Sequence, residues 1–425
     1  MKILLFSHRT PYPPNKGTQV RPFNMLTSLV ALGHEVHLIA FAENDEELAT
    51  KTELEKYCAS ATLVLFNKAA SNWQALTALL GNRPLSCAYF NSKRMNREVE
   101  RIVKEYGIQA MVVFSSTMCQ FVPPDFTAHS VVDMVDVDSQ KWRDYAHEHK
   151  FPMSIIYKIE GQRLRLYEYE ITEQFPFTVL TTEREIAVLD ELDEETIENK
   201  MVAVTNGVDL EKFKPGNFPK FAPEKLPTNE QIFLQDKNAP RIVFTGAMDY
   251  YPNAEGCRYF AEEIFPLIRA EIPNAQFLIV GSKPTPMVQA LSKLDGVIVT
   301  GFVDDVRPYV AAATVGVVPL KIARGIQNKA LEAMASGCAL VVTSSVNAGV
   351  GATHDQEFLV ADEPKDFADA VLKVMRDECL RTRLETKARS FVEEHYGWLP
   401  LMKKISDLVE IVSSSDSGVD AGSHD

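Results

Sequence analysis

The stretch 314-TVGVVPLKIARGIQNKALEAMASGCALVVTS-344 decides the fold. Its apolar run over 315–320 has the length and composition of a buried strand. A loop over 321–325 leads to a helix over 326–336, Gly337 ends that helix, and a second apolar strand covers 338–342. Strand, loop, helix and strand form the repeating unit of a parallel sheet. Within the helix, Lys329 and Glu332 are three apart and Asn328 and Glu332 four apart, so all three share one face near its N-terminus. Ala330, Leu331, Met334 and Ala335 supply the side that packs on the sheet. The first turn of a helix has unpaired N–H groups and the positive end of the dipole, which favours an anion. Adding Lys329 suits it to a diphosphate, and a carboxylate one turn further in accepts hydrogen bonds from two vicinal hydroxyls, as on a ribose. A Lys–Glu pair also decorates ordinary surface helices, so the surrounding chain has to decide.

At 425 residues the chain exceeds what one hydrophobic core usually supports, which predicts two domains. A net charge of −14 argues against general nucleic-acid binding. Cys58, Cys87, Cys119, Cys257, Cys338 and Cys379 form no C-x-x-C pair. That pattern suggests a reducing compartment, with neither a disulfide framework nor a zinc site. The opening MKILLFSHRTPYPP has too short an apolar run for a signal peptide, and no segment approaches the roughly 18 apolar residues of a membrane span. The expected location is the cytoplasm.

The chain opens with a strand over 2–7, a loop over 8–19, a helix over 20–31, a turn at Gly33-His34 and a strand over 35–41. This is a Rossmann-like start without G-x-G-x-x-G, in which Gly17 lets the backbone approach a ligand or serves as a plain turn residue. Further strands are expected over 61–66, 110–114, 130–135 and 178–181. Over 73–104 an apolar set (Trp73, Leu76, Leu79, Leu80) precedes Arg83, Lys93, Arg94, Arg97, Arg101 and Lys104, a pattern that fits either a solvated helix face or weak docking on anionic lipid headgroups. The segment 133-DMVDVDSQKWRDY-145 bunches Asp133, Asp136 and Asp138 after a buried strand. A D-x-D can hold a divalent metal, and its place at a strand's C-terminal end suits an active site without requiring one.

A hinge is expected over 202–216, around the Asn206-Gly207 turn, followed by a linker to residue 240. A second alternating series then runs through strands over 241–245, 276–280 and 297–300, each ending in a lone glycine (Gly246, Gly281, Gly301), and into the opening stretch. The glycines place backbone rather than side chains along the rim of the sheet. The expected division is 1–200 and 241–395 for the two domains, with 201–240 between them, a terminal helix over 396–412 and a polar tail over 413–425.

Two such domains joined by NGVD-x-x-x-F-x-P (Asn206–Asp209, Phe213, Pro215) resemble the GT-B fold, and more closely the retaining nucleotide-sugar glycosyltransferases called family 4 or group 1. The matching residues continue through Thr300–Val303 with Asp305, Val306 and Arg307, and Gly325 with the helix 328–337; GHEV (33–36) matches the first domain. The wording of 244-FTGAMDYYPNAEG-256, 133-DMVDVDS-139 and 325-GIQNKALEAMASG-337 is similar to a subgroup associated with the PEP-CTERM/exosortase system and exopolysaccharide loci.

The resemblance implies an α/β protein of two Rossmann-like, doubly wound domains facing across a cleft. It implies a donor site in the second domain, where Glu332 binds the ribose and Lys329 with its helix N-terminus neutralises the diphosphate. Gly246, Asn253, Gly281, Lys283, Gly301, Phe302, Gly325, Ile326, Gln327 and Asn328 would line it. It leaves the base, uridine or guanosine, open. The first domain would take a glycan or lipid-linked acceptor near Gly17 and Asp133. No metal or other cofactor is implied, because fixed positive charge stabilises the departing nucleotide and the leaving phosphate assists deprotonation of the acceptor.

Three departures qualify this. Arg324 stands where the family commonly has a Glu that contacts the donor sugar, so it either joins the diphosphate site or reads an acidic sugar. Asp249, Tyr250 and Asn253 stand where many members carry an Arg and a Lys, which makes Lys283 the candidate for the missing charge. Met134-Val135-Asp136 stands where a His often ends a strand, with Asp133 or Asp136 in its place near the sugar. The rival readings are a nucleotide-sugar 2-epimerase of the same fold and a non-catalytic donor-binding subunit.

Overall fold

The computed structural model describes residues 1–14, 17–190, 198–217, 239–323 and 325–414. The linker over 218–238, Arg324 and the tail over 415–425 lie outside the described residues. The chain divides into two compact units, Met1–Thr205 with Trp398–Asp425, and Asn206–Gly397.

The first unit is built on seven parallel strands: β1 (Lys2–Ser7), β2 (Glu35–Ala42), β3 (Ser60–Leu65), β4 (Ala110–Phe114), β5 (Ser130–Val135), β6 (Phe177–Leu180) and β7 (Met201–Ala203). Their order is β3-β2-β1-β4-β5-β6-β7, so the direction of progression reverses between β1 and β4. Near-continuous apolar strands such as ILLF (3–6) and AMVVF (110–114) are buried, as a sheet covered on both faces requires. The strand β7 is not anticipated by the sequence reading, which begins a hinge there. Three residues are too few to show a period, yet they pair with β6 and carry the unit on to Thr205.

The C-terminal helix, expected as a separate segment, belongs to this first unit. It spans Trp398–Ser414, and its apolar side (Leu401, Met402, Ile405, Val409, Val412) joins the core formed by Ile3, Leu5, Leu26 and Val112. Two polar contacts fix its register: His34 Nε2 lies 2.7 Å from Ser406 Oγ and His129 Nδ1 lies 3.0 Å from the Val412 carbonyl.

The second unit has six parallel strands: β8 (Arg241–Thr245), β9 (Gln276–Val280), β10 (Val297–Gly301), β11 (Val315–Val318), β12 (Leu340–Val342) and β13 (Leu359–Val360). The order β10-β9-β8-β11-β12-β13 again reverses after the first strand in sequence, here between β8 and β11. The opening stretch supplies β11, the helix Asn328–Ala335 and β12. Leu331 and Met334 on that helix are fully buried, each contributing about 2–3 kcal/mol by removal from water. Its C-terminal end is held by Arg389, which donates to the Ala335 carbonyl at 2.6 Å and to the Leu210 carbonyl at 3.2 Å, a cation where the helix dipole is negative.

The quoted motifs converge for the same reason. Arg307 is clamped by Asp305 (2.7–3.0 Å) and donates to the carbonyls of Lys212 (2.9 Å) and Asn217 (3.0 Å), so the D-x-R pair fastens the segment after NGVD to the sheet. Phe213 of that segment is buried in the same core.

Candidate functional site

In open parallel sheets, ligands bind beyond the C-terminal ends of the strands where the order reverses. In the second unit that place is the rim past β8 and β11. Gly246 follows β8 and Gly281 follows β9, and the two backbones touch: a Cβ on Gly281 would overlap the Gly246 carbonyl oxygen. The Gly246 amide donates to Val280 at 3.0 Å and the Gly281 amide to Gly301 at 3.2 Å, which extends the ladder past the strands and leaves the rim free of side chains. Gly325 makes a comparable approach, because a Cβ on Gly349 would overlap its carbonyl. The Thr343 hydroxyl donating to Leu320 (2.6 Å) and Ala323 N–H donating to Ser345 (2.8 Å) hold the loop before the site helix against the next helix.

Beside this glycine rim stand Lys329 and Glu332. Gln327, in extended backbone, precedes the site helix, and Lys329 lies in its first turn. Lys329 Nζ donates to Asn253 Oδ1 at 2.7 Å and to Gln327 Oε1 at 3.4 Å, and lies 5.3 Å from the centre of the Phe244 ring. Asn253 is itself buried and oriented by its own donation to the Ala247 carbonyl at 2.9 Å. Removal from water lowers the Lys329 pKa to about 8, against the opposing pull of Glu332. Removal from water raises Glu332 to about 7, with Lys212 and then Lys329 opposing. Both side chains keep a partial opening to solvent, so dense protein around them rather than full enclosure sets these shifts. No described residue donates a hydrogen bond to the Glu332 carboxylate. A carboxylate without a donor among the described residues and a cation with a third N–H to give, one helical turn apart and beside bare backbone, can take a hydroxyl pair and a phosphate group together.

The other expected residues fall around this pair. Ile326 packs on the core, whereas Asn328 and Phe302 are exposed. A Cβ at Gly301 would meet open space. Lys283, the candidate for the missing positive charge, is exposed and ion-paired at 3.0 Å with Asp249, one of the residues that depart from the family pattern. Arg324 lies outside the described residues. Lys212, inside NGVD-x-x-x-F-x-P, is the residue the sequence reading misses: its positive charge opposes the rise in the Glu332 pKa more than that of Lys329 does, and no spacing pairs positions so far apart in the chain.

In the first unit, Gly17 opens the helix Gly17–Ala31. Asp136 is exposed just past β5 and accepts from the Thr181 hydroxyl at 2.8 Å. Asp133, expected beside the acceptor, is instead completely buried and ion-paired to Arg21 at 2.7 Å, which leaves it no face for a ligand. Between them Val135 holds a φ of +72°, a strained conformation for a β-branched residue.

Two doubly wound parallel sheets, each with its strand order reversing after the first strand, define an α/β protein of the GT-B fold. Residues 239–377, which lie within the C-terminal unit, match the family described as glycosyl transferases group 1. Along its length the chain is similar to solved structures at full coverage and low identity, which establishes the fold. Sucrose-phosphate synthase from Thermosynechococcus elongatus superposes with a TM-score of 0.65 at 15% identity, over 98% of this chain and 100% of that one. Anabaena HepE in complex with UDP-glucose gives 0.61 at 13%, over 97% and 100%. WaaG, a glycosyltransferase involved in lipopolysaccharide biosynthesis, gives 0.59 at 16%, over 96% and 99%. In sequence, the chain is 20% identical over 406 residues to an uncharacterized 44.6 kDa protein in the cps region of Klebsiella pneumoniae, covering 93% of this chain and 96% of that one.

Proposed function

We propose that this protein is a retaining, metal-independent glycosyltransferase that moves a sugar from a nucleotide-diphosphate sugar to a lipid-linked or oligosaccharide acceptor in the assembly of a cell-surface polysaccharide. The observation that carries this is the Lys329–Glu332 pair: two half-buried charges beside a glycine-lined rim, with no donor to the carboxylate among the described residues. In this reading Glu332 accepts from the ribose hydroxyls. Lys329 and the first N–H groups of its helix neutralise the diphosphate as the sugar departs, so catalysis is positional and electrostatic. The UDP-glucose complex of HepE supports the donor class. WaaG and the cps-region relative support the polysaccharide role, and the wording of 133–139 and 244–256 supports the exosortase-associated subgroup.

The test is a thermal-shift screen with UDP, GDP, UDP-glucose, UDP-glucuronic acid and GDP-mannose. Binding to the native state raises stability by mass action, by about 2.7 kcal/mol at a hundredfold excess over Kd. A selective shift with one base is the expected result, and a preference for the uronic acid that Arg324→Glu abolishes assigns Arg324 to the sugar rather than the diphosphate. No shift with any of the five sinks the transferase reading.

The proposed location is the cytoplasmic face of the membrane, held there weakly. No described helix is long and apolar enough to cross a membrane. Trp73, Leu76 and Leu80 are 67%, 56% and 94% exposed, and Lys93, Arg94 and Arg97 lie on the exposed side of the helix Lys93–Tyr106. Arg101 is instead spent on Glu98 and Glu105. Such a surface suits anionic headgroups. The wild type should sediment with phosphatidylglycerol vesicles several-fold more than a Trp73→Ser/Leu80→Ser variant, and equal sedimentation removes the idea.

A further inference from the structure

The first unit has its own reversal point, between β1 and β4, and one side chain spans it. His8 follows β1 directly, and its ring stacks on Phe114, the last residue of β4, at 5.6 Å and 16°. Phe90 closes the other side edge-on at 5.9 Å. Ser7 and Phe114 are register partners, so the imidazole lies across the rim at the place where the sheet's order reverses.

The segment that carries His8 is fixed rather than loose. The Ser7 hydroxyl donates to the Arg9 carbonyl at 2.6 Å, the Thr10 hydroxyl to Phe41 at 2.9 Å, and the Gln19 amide to Thr10 at 3.2 Å. Arg9 is ion-paired with Glu43. The next strand end is equally constrained: Ser115, after Phe114, holds a φ of +82° while its amide donates to the Asp133 carbonyl at 2.8 Å.

The two ring nitrogens of His8 differ. Nδ1 is buried with no hydrogen-bond partner among the described residues. Nε2 has no partner among the described residues either, and it is the ring nitrogen open to solvent. An unpaired N–H costs more to bury than a bare ring nitrogen, which assigns the proton to Nε2. Burial, reinforced by Arg9 and Lys141 and opposed by Glu43, holds the ring neutral down to about pH 4. A rigid neutral ring that offers one N–H at a reversal point is suited to an uncharged hydroxyl rather than an anion or a metal.

We infer that His8 is a positioning residue for the acceptor, its Nε2–H donating a hydrogen bond to a hydroxyl of a pyranoside bound past β1 and β4. This rests on the transferase reading above, and it assigns the acceptor side of that reading to a residue that neither the resemblance nor the spacing of motifs selects.

The experiment uses the full chain labelled with nitrogen-15 histidine, the His8 signals being assigned by their loss in His8→Phe. Methyl β-D-glucopyranoside, methyl β-D-galactopyranoside and methyl α-D-mannopyranoside are titrated in turn. At least one should move the His8 Nε2 signal and no other histidine by a comparable amount. The Phe variant keeps the stack on Phe114 without the N–H, so it should weaken that glycoside at least tenfold while melting within a few degrees of wild type. His8→Gln, whose amide nitrogen stands near Nε2, should keep affinity within about threefold. An unmoved His8 signal with all three glycosides, or a Phe variant that binds within twofold of wild type, overturns the inference. The nucleotide screen is independent: a glycoside response at His8 without any nucleotide shift would fail the transferase reading and leave the saccharide site standing.

Discussion

Replacing Glu332 with Gln is expected to raise the melting temperature of the ligand-free protein while weakening nucleotide binding by about tenfold to a hundredfold. The first half follows from linkage. Glu332 titrates near 7 in the folded protein against about 4.5 unfolded, so its contribution is fully present below pH 4.5 and is lost as pH rises through 7. Lys329 titrates near 8 against 10.5, so its contribution is present above pH 10.5 and is lost as pH falls through 8. Between about 7 and 8 both groups are charged, and the empty site is at its least stable. The substituted amide carries no charge to desolvate, so the variant should gain on the order of 1 kcal/mol at pH 8 and only a small fraction of that at pH 5, or about 2–4 °C at pH 8 for a domain of this size.

The second half follows because hydrogen bonds from hydroxyls to a charged acceptor are worth about 1.5–3 kcal/mol. Wild-type affinity for the nucleotide should fall below pH 7 as Glu332 takes up a proton, and that acid limb should vanish in the variant. Paired melting curves and titrations at pH 5 and pH 8 decide it. A variant that melts lower than wild type at pH 8, or binds nucleotide as well, refutes the role given to Glu332.

That pair was legible because its logic is local. A helix places residues three apart on one face, so Lys329 and Glu332 declare themselves without knowledge of the fold, and the lone glycines at the ends of β8, β9 and β10 mark the rim for the same reason. What positions the pair was not legible. Asn253, the partner of Lys329, is 76 residues away, and it meets the lysine only because β8 and β11 are neighbours in the sheet. Lys212 and Arg389 reach the site helix from other segments for which no periodicity exists. The return of the C-terminal helix to the first unit is hidden likewise: its apolar stripe says that it packs, and only the finished sheet says on what. Buried polar residues mislead in the opposite direction. The bunched Asp133, Asp136 and Asp138 look like one functional cluster, yet Asp133 serves the interior.

Its removal should have the largest effect on stability of any substitution considered. Asp133→Ala leaves the Arg21 guanidinium buried without its carboxylate, and breaking a buried pair from one side costs about 3–5 kcal/mol. If the ion pair alone mattered, replacing both partners by apolar residues would restore most of that, since a well-packed apolar pair is often as stable. Arg21 does more. It donates to the carbonyls of Val204 (2.9 Å) and Thr205 (3.0 Å), the last residues before the chain leaves the first unit. Asp133 in turn accepts from the Val135 amide at 3.1 Å, which holds the strained turn that presents Asp136.

An Arg21→Met/Asp133→Val variant should therefore recover only part of the loss. It should remain about 2–3 kcal/mol below wild type, at roughly 1 kcal/mol for each backbone group left without its partner. Urea unfolding of Arg21→Met, Asp133→Val and the double variant measures this directly, with a coupling energy of at least about 2 kcal/mol between the partners. Full recovery in the double variant would reduce the pair to a replaceable element of the core. Partial recovery makes it the tie between the rim at Asp136 and the segment that leads out of the unit.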